Sequence, residues 1–417
     1  MVLESLSCLS GRNHACLITS VKNMSSQKKK LFADYGPYSY RNWLAQAENK
    51  VNYPYCIIEI ELFSDACFKG TEVDHGPYTL INAEPFPPIQ PSYLMHGRLV
   101  LHYGSFLDPN KDPTSHPNGT DTSMYHGGGL RDEMAALYSL CFGSRIKAGG
   151  TIRKQRPWDK YPKPRIPRPD ETPIFSHPHD ERYLLPWHIG EKKMGLVQEH
   201  INNYIKLKPR QASTLIRAAR LYQDAVWLSE NNPELSWLLL VSSVEVAADY
   251  AYTERNSDPV KQFKELKPTL AEALNGLGED SQRAIEIVSS HLEGLIGSTK
   301  KFRQFLCDFA PIEPPTERPP YQTIRWDKPS LKKVFNKIYD YRSKALHGGT
   351  PFPEPMCRPP EKGHKDKSFV EYPSVGIAGA TLGSSWKAQD VPIHLHIFEY
   401  IVRYSLLRWW QNMTTSS

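Results

Sequence analysis

The chain has 417 residues, of which 40% are hydrophobic and 23% are charged. This balance is that of a folded globular protein, and the length suggests two or three domains of ordinary size. The 51 basic and 45 acidic residues leave a formal net charge of +6, which permits a nucleic-acid partner without requiring one. No window of about 20 consecutive apolar residues occurs, so the sequence predicts no membrane-spanning segment.

Seven cysteines are scattered along the chain without a Cys-x-x-Cys pair. Their odd number and irregular spacing argue against a disulfide framework and against a zinc site built from cysteines. They favour a reducing, cytoplasmic location. Residues 1–30 lack a secretory signal pattern and are predicted to be a loose leader, with Met24 as an alternative start.

Residues 31–195 are predicted to form an α+β domain. The β-branched, apolar runs Tyr55–Phe63 and Gly97–Leu107 indicate strands. The segment that starts at Leu130 has helical periodicity, and Gly143 is expected to end that helix. Nothing in these residues names a ligand.

Residues 145–190 are predicted to be a basic, proline-rich linker. Residues 145–168 contain nine lysines and arginines against one acid, Asp159, with aromatic residues interleaved. A solvated linker is the favoured interpretation, because nothing fixes these side chains on one surface. The alternative is a strap that binds nucleic-acid backbone and stacks bases. That alternative makes weak RNA-binding candidates of Arg153, Lys154, Arg156, Trp158 and, further along the chain, Lys344.

From about residue 200 to residue 412, successive helical patterns predict an all-α bundle. Small and apolar residues form one stripe over Arg210–Glu230. The next helix, Pro233–Tyr252, has Asn232 as its expected N-cap and is apolar nearly all round, so it is expected to be buried. An irregular insertion is predicted at 350–390, followed by a last helix. Three further helices are predicted over Asp258–Leu274, Glu279–Gly297 and Thr299–Ala310.

An amphipathic helix is predicted over Ser330–His347, with Ser330 as its cap and Gly348 as the left-handed residue that ends it. Arg342 and His347 lie in its last two turns, roughly 140° apart around the axis. They flank the expected buried face, which contains Leu331, Val334, Phe335, Ile338, Tyr341, Ala345 and Leu346. Cations near a helix C-terminus are also favoured by the helix dipole, so this spacing alone does not establish a site.

This helix resembles the motif of the HEPN superfamily, and most of all the Apea-like HEPN branch of prokaryotic phage-defence and toxin proteins. The matching residues are Tyr339, Arg342, Ser343, His347 and Gly348.

A second similarity is the apolar helix Ser236–Asp249, which carries Glu245, and a looser one covers Asp132–Gly150. The resemblance extends over about residues 205–412. It implies a HEPN-type helical bundle after the α+β domain. It also implies that the α+β domain senses a phage product or another regulatory trigger.

The resemblance further implies a metal-independent endoribonuclease without a cofactor. Histidine can accept or donate a proton near neutral pH, and arginine can bind phosphate oxygens with two N–H groups. One copy of Arg342 and His347 is too little for two proton transfers and a phosphate clamp. The family's solution is a homodimer with a composite site. Ser343 is a supporting candidate that could equally be a helix-surface serine. Glu245 is a second one that could orient Arg342 or His347, although an ordinary helix residue paired with a nearby lysine or arginine is the favoured interpretation.

Two other functions remain open. A HEPN-type module could dimerise and bind nucleic acid or nucleotide without cleavage, although the presence of both Arg342 and His347 favours the enzyme. A metal-dependent hydrolase could instead use the polar residues His126, His177, His179, Asp180 and His188. The neighbouring His394 and His396 are predicted to be packing or surface residues at a helix start.

Overall fold

The computed structural model describes residues 30–48, 53–83, 97–108, 119–162, 164–165, 173–178, 182–252, 259–276, 278–363, 368–375 and 384–415. The predicted leader therefore lies outside the described residues, apart from Lys30. An N-terminal region built around an antiparallel sheet is followed by a helical region. No helix in the described part of the chain combines the length and the apolar composition that crossing a bilayer requires.

The main sheet has five strands, β1 Cys56–Ser64, β3 Glu72–His75, β4 Tyr78–Ala83, β5 Gly97–Ser105 and β6 Ile146–Gln155. Their order is β3-β4-β5-β1-β6, and every neighbouring pair is antiparallel. Both predicted strands are confirmed as β1 and β5. A separate parallel pair joins β2 Cys67–Lys69 to β7 Glu191–Lys193.

Strand β6 corrects the N-terminal part of the linker predicted over residues 145–190. Residues 146–155 pair with β1 at one edge of the sheet instead of forming a solvated connection. Their basic side chains are partly neutralised by acids that are distant in sequence. Arg153 lies 3.3 Å from a Glu59 oxygen, and Lys147 lies 3.1 Å from an Asp224 oxygen. Counting charges along the segment could not reveal these partners.

Two helices accompany the sheet, α1 Tyr38–Ala47 and α2 Leu130–Phe142. The predicted end of α2 is confirmed, since Gly143 adopts the left-handed conformation at its C-terminus. All residues of α2 from Glu133 to Phe142 are buried. The helix packs against β6 on one side and against the helical region on another. One hydrophobic core therefore runs from the sheet through α2 into the helical region.

The helical region contains eight of the described α-helices. They are α3 Gln198–Ile201, α4 Pro209–Leu228, α5 Pro233–Tyr252, α6 Pro259–Leu266, α7 Pro268–Asn275, α8 Ser281–Phe309, α9 Lys328–Gly348 and α10 Leu395–Thr415. The prediction of α4, α5 and the last helix is confirmed. Asn232 caps α5 as expected, because its side chain accepts a hydrogen bond from the Leu235 N–H at 3.0 Å.

Two details of the helical prediction are wrong. The helix expected over Asp258–Leu274 is divided at Pro268, whose ring breaks a helix. The two helices expected over 279–310 are one continuous helix, α8, since buried Phe302 and Phe305 anchor its second half beyond Gly297. The expected burial of α5 is confirmed for most of its length, since the helix packs against α4, α8, α9 and α10, although Leu235 in its first turn is 37% exposed.

Helix α9 differs from its prediction at both ends. Asp327 is the N-cap and accepts a hydrogen bond from the Ser330 N–H at 2.9 Å. The helix begins before Ser330, since proline is tolerated in the first turn. The left-handed residue at the C-terminus is Gly349, with φ of 60°, and Gly348 stays helical. Leu346, expected in the buried face, is 51% exposed.

The predicted insertion at 350–390 is joined to the core in its described part. Buried Glu371 accepts hydrogen bonds from the Arg318 guanidinium and from the Ile324 N–H, the latter at 2.7 Å. Its backbone oxygen accepts a hydrogen bond from the His394 N–H at 2.9 Å. His394 and His396 are both buried, which agrees with packing and rules out the surface alternative.

Two buried histidines predict that acid destabilises the protein. Burial lowers the pKa of His75 and of His394 to about 4, below the usual 6.5. Below pH 6.5 these histidines are protonated in the unfolded chain, whereas in the folded chain they stay neutral down to about pH 4. The free energy of unfolding therefore decreases as the pH falls from 6.5 towards 4. The expected loss is on the order of 2 kcal/mol for each histidine at pH 5.

Urea unfolding at pH 7 and at pH 5 measures this effect. The His394→Gln variant serves as the control, since glutamine cannot take up the proton and should flatten part of the pH dependence. Equal free energies of unfolding at the two pH values would contradict the prediction.

Candidate active site

The motif arginine is held by a carboxylate on a neighbouring helix. Arg342 on α9 donates from Nη2 to Glu245 Oε2 on α5 at 2.7 Å. The Tyr339 hydroxyl donates to the other carboxylate oxygen of Glu245 at 2.9 Å. Burial and the adjacent Glu245 charge raise the pKa of Tyr339 to about 12, so the phenol stays protonated and keeps donating. This ion pair fits both interpretations of Glu245, as an orienting partner of Arg342 and as an ordinary helix residue paired with a nearby arginine.

The Arg342–Glu245 pair lies at the edge of the core. Both side chains are 19% exposed, and the guanidinium carbon is 5.5 Å from the centre of the Tyr339 ring. Arg342 Nε is buried and has no hydrogen-bond partner among the described residues. Glu245 accepts from Nη2, so the N–H groups of Nη1 are left for an anion, whereas the buried Nε is not accessible to one. The carboxylate fixes the arginine in place and also offsets its charge.

His347 is in a different environment, one and a half turns further along α9. Its side chain is exposed, and no hydrogen bond or ion pair joins it to another described residue. The structure therefore turns Arg342 towards the core and His347 towards solvent. Ser343 is half-buried, and the exposed Lys344 ammonium lies 5.8 Å from the Tyr341 ring.

A cleft with a volume of about 980 Å³ opens beside Arg342 and Glu245. Helices α4, α5, α8, α9 and α10 all contribute to its wall. Several of its charges are paired with one another, such as Lys301 with Asp249 at 2.6 Å. Lys208, the N-cap residue of α4, and Arg217 on α4 have no ion-pair partner in the described ranges. The charged residues of the wall are Lys208, Arg210, Arg217, Glu245, Asp249, Lys301, Asp308 and Arg342.

The contribution of α4 to this cleft was not predicted from the sequence. Arg210 and Arg217 are seven residues apart on one helix, a spacing that places both on the same face. That spacing is the signal that could have pointed to a basic wall.

Four of the five weak RNA-binding candidates lie on the sheet and the turn that follows it, whereas Lys344 is on α9. Arg153 and Lys154 belong to edge strand β6, and Arg153 is paired with Glu59. In the turn that follows, the Arg156 guanidinium lies 5.9 Å from the ring of Trp158, which is 73% exposed. These residues form an exposed basic and aromatic edge on the sheet, whereas the cleft is formed mainly by helices.

The proposed metal ligands are divided among separate contacts. His126 Nε2 is 2.9 Å from Glu133, His188 Nε2 is 3.0 Å from Glu399, and His177 Nδ1 is 3.3 Å from the Tyr183 hydroxyl. His179 and Asp180 lie outside the described residues. Within the described ranges, no three His, Cys, Asp or Glu side chains are grouped so that they could hold a metal ion.

Comparison of the chain with protein-family models found no match, and neither the curated proteins nor the solved structures gave one. The HEPN resemblance therefore depends only on the sequence segments described above, and it stays a prediction.

Proposed function

We propose that the protein is an endoribonuclease of the HEPN type that cleaves RNA without a metal ion. The observation that carries the proposal is the arrangement on α9. One arginine is fixed by Glu245 beside a large cleft, and one histidine is left exposed near the end of the same helix. We place this activity in the cytoplasm, in phage defence or toxin action, with the N-terminal region receiving a phage or other regulatory trigger.

In the proposed reaction, the 2′-hydroxyl of the RNA attacks the adjacent phosphorus. One His347 takes the proton from that hydroxyl, and the bond from phosphorus to the 5′-oxygen breaks. A second histidine gives a proton to the departing oxygen. The products are a 2′,3′-cyclic phosphate and a 5′-hydroxyl. Histidine suits both proton transfers because its ordinary pKa of about 6.5 lies near neutral pH.

Arg342 would stabilise the charge that develops on the phosphate oxygens. A guanidinium stays charged at all working pH values and can direct two N–H groups at one phosphate. Glu245 holds it in place before the substrate arrives, so little reorganisation is needed during the reaction. Ser343, next to Arg342, is available as a further polar contact.

Two copies of the chain are needed to supply two histidines. The end of α9 suits such pairing, because His347 and Leu346 are both exposed there. Leu346 is 51% exposed next to His347, the proposed general base. A second copy of the chain would cover this apolar side chain. We therefore place the dimer contact at the end of α9, where the two His347 side chains would share one site.

The dimer contact predicts a specific defect. Replacing Leu346 by aspartate puts a charge into the proposed interface, and it should convert the dimer to monomer and lower RNA cleavage at least about tenfold. Light scattering coupled to size-exclusion chromatography measures the mass. Ile287→Asp on α8 is the matched control, since Ile287 is 50% exposed on another helix. A dimeric and fully active Leu346→Asp variant would contradict this placement.

The alternative function is a dimeric module that binds RNA or a nucleotide without cleavage. One observation favours it: Glu245 already neutralises Arg342, which reduces the net charge available at a catalytic phosphate. Incubation of the full chain with mixed RNA in EDTA separates the two functions. The nuclease should produce 2′,3′-cyclic ends. RNA that is bound but stays intact would favour the binding module.

A further inference from the structure

A second cavity lies apart from Arg342 and His347, where the C-terminal end of α8 meets the start of α9. Its volume is about 320 Å³, near the lower end of the range for small-molecule sites, roughly 300–1,000 Å³. Its wall is mostly apolar. The apolar side chains are Leu306 of α8, Trp326 of the segment that connects α8 to α9, and Leu331 and Phe335 of α9. Such a wall suits a hydrocarbon or aromatic body.

Two cations and one carboxylate complete the wall of this cavity. Arg408 on α10 donates from Nη1 to the backbone oxygens of Phe309 and Ala310. No carboxylate among the described residues pairs with Arg408, so only backbone oxygens and the end of α8 offset its charge. Lys328 at the start of α9 is exposed and has no ion-pair partner within the described ranges.

The single carboxylate, Asp308, already has protein donors. Its Oδ2 accepts a hydrogen bond from the Tyr252 hydroxyl at 2.6 Å, and its Oδ1 accepts one from Gln304 Nε2 at 2.8 Å. Both carboxylate oxygens of Asp308 therefore already accept hydrogen bonds, and no ion pair joins Asp308 to Lys328 or Arg408 in the described part of the chain. The cavity combines an apolar wall with an excess of positive charge.

We propose that this cavity binds a small molecule with an apolar body and one carboxylate group. The apolar wall would cover the body, and Lys328 and Arg408 would bind the carboxylate by charge-assisted hydrogen bonds. A nucleotide fits less well, because the wall offers few partners for the hydroxyls of a ribose. This site does not depend on the proposed ribonuclease function, and its failure would leave that proposal unaffected.

Cys307 gives a local readout, because it is half-buried in the wall of the cavity. Burial raises the pKa of the Cys307 thiol, which slows its reaction with alkylating reagents at neutral pH. The full chain is treated with N-ethylmaleimide at increasing concentrations of octanoate, and modification of each cysteine is followed by peptide mass spectrometry. The exposed Cys67, on β2, is the internal reference.

The proposal expects octanoate to slow modification of Cys307 about tenfold at saturation and to leave Cys67 unchanged. 1-Octanol, which has the same chain length without the charge, should need roughly tenfold higher concentration for the same protection. Lys328→Gln should weaken octanoate protection severalfold. Arg325→Gln should not, since Arg325 is exposed in the same connection and does not line the cavity.

Three results would overturn the proposal. The first is an unchanged rate of Cys307 modification at 10 mM octanoate, roughly the weakest affinity expected of so small a ligand. The second is equal protection by octanol and octanoate, and the third is an equal effect of the Lys328 and Arg325 substitutions. Arg408→Gln is a further test of the carboxylate contact, with circular dichroism as a check that the α8 end still folds.

Discussion

Replacing His347 by alanine should lower RNA cleavage by about 10²–10⁴-fold, the usual contribution of a general acid or base. Folding should be unaffected, because the side chain is exposed and has no partner among the described residues. Cleavage of mixed RNA in EDTA, with the ends of the products identified, measures the effect. Wild type should give 2′,3′-cyclic phosphate ends, and the variant should leave the RNA intact.

The matched control for this substitution is His291→Ala. His291 is also an exposed histidine on a long helix, α8, so it tests the loss of a surface imidazole in general. That variant should cleave like wild type. Activity that survives His347→Ala, or wild-type activity that EDTA removes, would exclude the end of α9 as the site and redirect attention to His177, His179 and His188.

Replacing Arg342 by lysine should lower cleavage about 10²–10³-fold, comparable to the loss of one donor to a developing oxyanion. Lysine keeps the positive charge and can still reach Glu245, but it cannot direct two fixed N–H groups at a phosphate. The loss should therefore appear mainly in kcat, with a smaller change in the salt dependence of RNA binding. Steady-state kinetics and binding titrations at several salt concentrations separate the two effects.

Arg303→Lys on α8 is the control for this change. Arg303 donates to the Asn336 side chain of α9 at 3.3 Å, so it is another arginine that joins α9 to a neighbouring helix. Its replacement should leave kcat within about twofold, as expected of a substitution away from the reacting atoms. Equal losses in the two variants would show that Arg342 acts through helix packing and not through the phosphate.

The sequence allowed the main helices to be predicted because their signals are local. The apolar stripe of α4, the Asn232 cap of α5 and the left-handed Gly143 after α2 depend only on residues within a few positions. The ends of α9 were predicted one to three residues away from their observed places. Ser330 and Asp327 are both residue types that cap helix N-termini, so the local sequence does not distinguish them. In the same way, Gly348 and Gly349 can both adopt the left-handed conformation that ends a helix.

The rest could not be predicted, because it depends on contacts between distant residues. Strand β6 was predicted to be part of a linker because the acids that pair with its basic side chains, Glu59 and Asp224, are distant in sequence. Glu245 and Arg342 are 97 positions apart, so their ion pair could only be one of several interpretations. Periodicity placed Leu346 in a buried face, yet it cannot show where the neighbouring helices stop covering α9.

The shared core also constrains how a trigger could control the site. Arg403 of α10 donates to the backbone oxygens of Leu140 and Cys141 at the end of α2, and Tyr222 of α4 donates to Glu399 of α10. The N-terminal region and the helical region thus share one core, so the N-terminal region is not a separately packed lid that could hinge on the helices. A trigger that binds at the sheet would therefore act by moving α2 as a rigid body relative to α4 and α10. Cutting the chain between the two regions would expose the apolar faces of these helices and leave an insoluble fragment, not a constitutively active one.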